Sequence, residues 1–156
     1  MFGVPTDAAP IWIGLLLASA GMFGVISGVP TAAPPSADRV AATIDQVAAR
    51  DITASGTVGI HATEIKLGTE RVALRGPGGT AHASPAFGPV TPVSADSRLS
   101  KVLHGAAPGS VYVLPRHFRN DLERARKREP TWKAAPSTLH VRRVSYGEVT
   151  CVLVGA

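Results

Sequence analysis

The chain is short of the residues from which small proteins build chemical sites. It has one cysteine, Cys151, among 156 residues, which excludes an intrachain disulfide framework and a multi-cysteine zinc site. Charged residues make up 17% and hydrophobic ones 45%, a balance that excludes wholesale disorder. The five histidines, His61, His82, His104, His117 and His140, are scattered, with no close pair and no His-Glu-x-x-His. That spacing is what a helix needs to present two imidazoles to one metal ion. No serine lies in a Gly-x-Ser-x-Gly elbow, so the strained turn that exposes a serine nucleophile is missing. Arg75 to Thr80, RGPGGT, is glycine-rich but lacks the Gly-Lys-Ser/Thr ending of a phosphate loop. Cys151 alternates within Thr150-Cys151-Val152-Leu153-Val154 and reads as a small core hydrophobe. The expectation is therefore non-enzymatic, with no catalytic residues, no cofactor, no metal site and no evident small-molecule substrate.

What the chain does have is a long apolar run. Ile11 to Val29, IWIGLLLASAGMFGVISGV, is 19 residues without a charge, bracketed by Pro10 and Pro30. As a helix it extends roughly 28 Å, near the hydrocarbon thickness of a bilayer. Trp12 stands at its first boundary, where an interfacial indole is favoured. Residues 1–10 hold no Lys or Arg, so the basic start of a cleaved signal peptide is absent. A retained single-pass transmembrane helix is expected. Within it Ala20, Gly24 and Gly28 fall four apart on one face, and small residues there let a second helix approach closely in lipid. Protein partners, another copy or a different chain, are expected through that face. The first basic residues beyond the run are Arg39 and Arg50, a slight lean toward a cytoplasmic domain by charge.

The rest is punctuated by much of the chain's 13 Pro and 16 Gly, so its elements should be short. Residues 1–10 form a tail and residues 30–35, PTAAPP, a stiff spacer. Residues 36–156 read as an α+β domain with an antiparallel sheet and two to three helices. Ser36 is expected to cap a helix through Arg50, with Val40, Ile44 and Val47 as its apolar stripe. Alternation predicts a hairpin of 64–67 with 71–75, strands near 80–84 and 90–93, and a last hairpin of 138–144 with 148–154. Asp96 should cap a turn ending at Gly105, and Phe118, Leu122 and Ala125 mark a helix over 116–128.

Charge is uneven along the chain. Residues 1–100 carry a net −1 and residues 101–156 a net +6. The densest run, Arg116 to Glu129, holds Arg116, Arg119, Arg124, Arg126, Lys127 and Arg128 beside Asp121, Glu123 and Glu129. It reads either as a solvated face paired within itself, through Asp121–Arg124 and Glu123–Arg126, or as a basic patch for polyanions such as anionic lipid or nucleic acid. Nucleic acid is the less favoured partner.

Several segments carry a family resemblance. Asp7-Ala8 with Ile11-Trp12-Ile13-Gly14, Gly78-Gly79-Thr80-Ala81-His82-Ala83, and Phe87-Gly88-Pro89-Val90-Thr91-Pro92-Val93 are three of them. Arg128-Glu129-Pro130-Thr131-Trp132 and the stretch from Val141 to Val149, VRRVSYGEV, are two more. Together they resemble a haloarchaeal family of small membrane-anchored proteins, encoded alongside type IV pilus-like or type II secretion-like ATPases and their membrane platforms. The resemblance implies an accessory or pseudopilin-like component of that machinery, and favours an extracytoplasmic domain. That family has no assigned site, so no functional residues carry over from it.

Overall fold

A computed structural model of the chain describes residues 32–156. The expected tail over 1–10, the transmembrane helix over 11–29, its face of Ala20, Gly24 and Gly28, and residues 30–31 of the spacer lie outside the described residues. Among the described residues, no helix is long and apolar enough to cross a membrane.

The first helix, α1 (Ala37–Ala48), buries Val40, Ile44 and Val47 as its heptad-like spacing requires. Its start differs from expectation. Ser36 occupies the cap position but its side chain makes no capping bond; the Ala37 amide instead donates to the Pro35 carbonyl at 3.1 Å. Asp38 alone supplies negative charge to the first turn.

Eight strands follow: β1 (Ala54–Gly59), β2 (Glu64–Leu67), β3 (Val72–Gly76), β4 (Gly79–Ala83), β5 (Thr91–Pro92), β6 (Lys133–Ala134), β7 (Thr138–Tyr146) and β8 (Val149–Gly155). They form two four-stranded sheets rather than one. The first has the order β1-β7-β8-β5 and the second β4-β3-β2-β6. Every pairing is antiparallel except β5 with β8, which is parallel. The two expected hairpins are present, β2–β3 and β7–β8. The latter closes on a two-residue loop whose first residue, Gly147, has φ 61°, a backbone sign that glycine adopts without steric cost. Pro92 limits the 90–93 segment to a two-residue edge strand.

Three more helices bring the described total to four, one more than expected: α2 (Arg98–Leu103), α3 (Pro108–Val111) and α4 (Pro115–Arg126). The residue at the cap of α2 is Ser97 rather than Asp96. Gly105, φ 120°, ends the helix as expected. There the Gly105 amide donates to the Val102 carbonyl at 3.2 Å and the Ala106 amide to Lys101 at 3.0 Å, the paired bonds of a Schellman ending.

Apolar side chains divide into two cores, one on each face of the first sheet. Strand period sends Leu139, Val141 and Val154 to one side, where α1 and the inner residues Val72 and Leu74 of the second sheet complete a cluster. Val144, Cys151 and Leu153 point the other way, onto Leu99, Val102, Phe118 and Leu122 of the helical layer.

Candidate functional site

The basic run lies on α4, and its helical period sorts the cations. Phe118, Leu122 and Ala125 are buried on the inner face. Arg126 flanks that face and donates from Nε to the hydroxyl of the fully buried Thr91 at 2.8 Å. It therefore does not form the expected pair with Glu123, since the Thr91 hydroxyl otherwise stands unpaired in the interior. Arg128 donates to the Ser94 hydroxyl at 2.9 Å. Arg124 forms the expected pair with Asp121. Arg116, Arg119 and Lys127 remain exposed on the solvent face, where Glu123 falls between them at helical spacing. Half of the candidate patch thus has intramolecular partners, and two of its members, Arg126 and Arg128, tie the end of α4 to the segment around β5.

Asp121 is the hub of that attachment. Its carboxylate accepts the Tyr112 hydroxyl at 2.9 Å and pairs with both Arg98, at 3.2 Å, and Arg124. The side chain is 13% exposed. Arg98 also lies over the Tyr112 ring, 5.0 Å from its centroid. Burial, reinforced by the hydrogen bond to Asp121, raises the Tyr112 phenol well above its ordinary range. Tyr112, Phe118 and Tyr146 stack edge to face, and Tyr146 donates to the Tyr112 carbonyl at 3.0 Å. The cluster reads as a clasp joining α2, α3 and α4 to β7.

Cys151 is buried, as its alternation predicts. Burial pushes its thiol up to about 12, against a small opposing pull from Arg126. At neutral pH it carries no nucleophilic thiolate. The fold does bring two histidines together: His104 and His140 stack with centroids 4.8 Å apart. His104 donates from Nδ1 to the Ser100 carbonyl at 2.8 Å. Among the described residues, no three His, Cys, Asp or Glu side chains come close enough to share a metal ion.

Sequence reasoning missed a second cationic surface, on the outer face of the second sheet. There Lys66, Arg71, Arg75, His82 and Trp132 line an open groove of about 720 Å³. The Arg75 guanidinium lies 4.2 Å from the centre of the Trp132 ring and bonds Glu64 at 2.9 Å. The signal was present as Lys66, Arg71 and Arg75 spaced along two alternating strands, but they are sparse in sequence and only strand register gathers them.

The profile of a family of unknown function, DUF7283, matches residues 3–144. The chain belongs to that family. No curated protein and no solved structure matches it. The family's match covers α1, the second sheet, the helical layer and most of β7, so both surfaces described above fall within it.

Proposed function

We propose that the chain is a membrane-anchored, non-enzymatic accessory or pseudopilin-like component of a type IV pilus-like or type II secretion-like system. The observation that carries this reading is the charge-free run Ile11–Val29, which has the length of a bilayer span and precedes, after a proline spacer, a helix laid on an antiparallel sheet. The resemblance to haloarchaeal proteins encoded beside such machinery supplies the system and favours an extracytoplasmic domain. In this reading Ala20, Gly24 and Gly28 are the face through which the anchor meets a partner helix.

Carbonate washing should leave the full-length chain in the membrane pellet, and capture from mild detergent should recover platform or pilin-like subunits with it. Gly24→Leu should keep insertion while reducing partner recovery about tenfold, an energy near 1.4 kcal/mol. Leu16→Ala, on another face, should change recovery little. A chain found in the soluble fraction would defeat the reading, and equal recovery for both variants would reduce the anchor to a tether.

The second reading, a membrane-tethered basic module for polyanions, draws on α4. It has less behind it there, because Arg124, Arg126 and Arg128 have intramolecular partners and Glu123 interrupts the remaining three cations. Salt-sensitive DNA binding lost with Arg116, Arg119 and Lys127 is the result that would favour it.

A further inference from the structure

The groove on the second sheet has a feature that register alone reveals. Lys66 on β2 and His82 on β4 stand directly opposite Ala73 on β3. Arg71 and Arg75 flank Ala73 two residues away along the chain. Paired residues share a face, and residues two apart on a strand share it too. Ala73 is therefore a small floor, 4% exposed, surrounded by four cationic or protonatable side chains. Neighbouring positions in a sheet are about 4.7–4.9 Å apart across strands and about 6.7 Å apart along them, so Lys66, Arg71 and His82 can reach a point above the alanine, while Arg75 is held by Glu64 and the Trp132 ring.

Two carboxylates lie at the groove and leave it a small positive excess: Glu64 is engaged by Arg75, and Glu70 lines the groove beside Arg71. Lys66 and Arg71 form no ion pair among the described residues. Like charges at adjacent sheet positions are destabilising, so a neutralising group is favoured between Lys66 and Arg71. Trp132 walls the same groove, with Thr80 and Ser84 adding hydroxyls.

We propose that this groove binds a soluble phosphate monoester, with the phosphate seated over Ala73 and the ring that carries it against Trp132. A tetrahedral dianion offers oxygens toward donors arriving from three sides, whereas a planar carboxylate presents only two. The volume lies within the range of small-molecule sites, and the concave, walled form suits a discrete ligand better than a membrane surface. The proposal involves binding alone, with no bond made or broken, and it stands independently of the anchor.

The test uses the full-length chain in non-ionic detergent with Trp12→Phe, which leaves Trp132 as its one tryptophan. Glucose 6-phosphate and phenyl phosphate should each change Trp132 emission saturably, and inorganic phosphate should compete at least about tenfold more weakly, since it lacks the stacking ring. Glucose should have no effect. Lys66→Gln and Arg71→Gln, both at the surface, should each weaken binding roughly five- to twentyfold, the loss expected of one charge-assisted bond. Ala73→Glu should abolish binding by placing a carboxylate where the phosphate sits, with unchanged circular dichroism. No saturable change with either ester at concentrations well above about 1 mM would overturn the proposal. So would undiminished binding by the Lys66 and Arg71 variants, or a response confined to micelles doped with phosphatidylglycerol.

Discussion

Asp121 holds three partners at once, and its environment decides what each is worth. Arg98 and Arg124 reach it from the solvent side, with side chains 56% and 69% exposed, so each ion pair alone contributes little. Tyr112 is different: its ring is buried, and its hydroxyl loses the Asp121 acceptor if the carboxylate goes. Leaving such a group unpaired costs about 1–3 kcal/mol. Asp121→Ala should therefore destabilise the protein by roughly 2–3 kcal/mol, and Asp121→Asn, which keeps an acceptor oxygen, by about half that. Urea unfolding of both variants checks this. Equal losses for Ala and Asn would mean that the charge, rather than the hydrogen bond to Tyr112, matters most. At the same scale, the sequence announces the Asp121–Arg124 pair through its spacing of three. The Tyr112 and Arg98 contacts depend on where α2 and α3 fold back, and no local pattern encodes them.

Among the elements, β7 is the one that joins both layers. Its two adjacent arginines point to opposite faces, as strand period dictates. Arg142 donates to the carbonyls of Val102 and Ala106 at the end of α2, and Arg143 donates to the Ala48 carbonyl at the end of α1. Each places a cation at the negative end of a helix: Arg143 meets the Ala48 carbonyl, and Arg142 adds a second donor to the Val102 carbonyl and reaches Ala106 just past α2. Arg142→Ala and Arg143→Ala should each cost about 1–2 kcal/mol. They share no partner, so the double variant should show the sum to within about 0.5 kcal/mol. A larger departure, measured by thermal or urea unfolding, would show that the two faces of the sheet communicate through the strand. Helix α4 carries the matching lesson about charge. The six cations on and just after it look alike in sequence, yet Thr91 and Ser94 on the segment around β5 take up two of them.

At the scale of the whole domain, residues 32–156 form one compact unit, and its two cores share the first sheet. Cys151 and Tyr112 both sit in the core on the helical side, and both hold their protons more tightly folded than unfolded. Their stabilising contribution is complete below the ordinary thiol range and is lost as pH rises toward the folded values, about 12 for Cys151. Stability should therefore decline above about pH 9, approaching 1.4 kcal/mol per pH unit for each such group. Urea midpoints at pH 8 and pH 10.5 test this, and Cys151→Val should flatten the decline. A profile unchanged by that substitution would place the alkaline sensitivity elsewhere. The sequence by itself determined the pieces whose causes are local: the apolar stripe of α1, the hairpins β2–β3 and β7–β8, the glycine ending of α2, the buried face of α4, and the thiol of Cys151 turned inward. Periodicity and turn chemistry act over a few residues, so they can be read from a few residues. Tertiary structure decided the division into two sheets, the parallel edge at β5, the burial of Thr91 against Arg126, and the cationic ring around Ala73. Each of those rests on pairing between distant segments, such as Thr91 with Leu153 or Lys66 and His82 with one alanine, and side-chain alternation fixes which face a residue takes without naming the strand beside it.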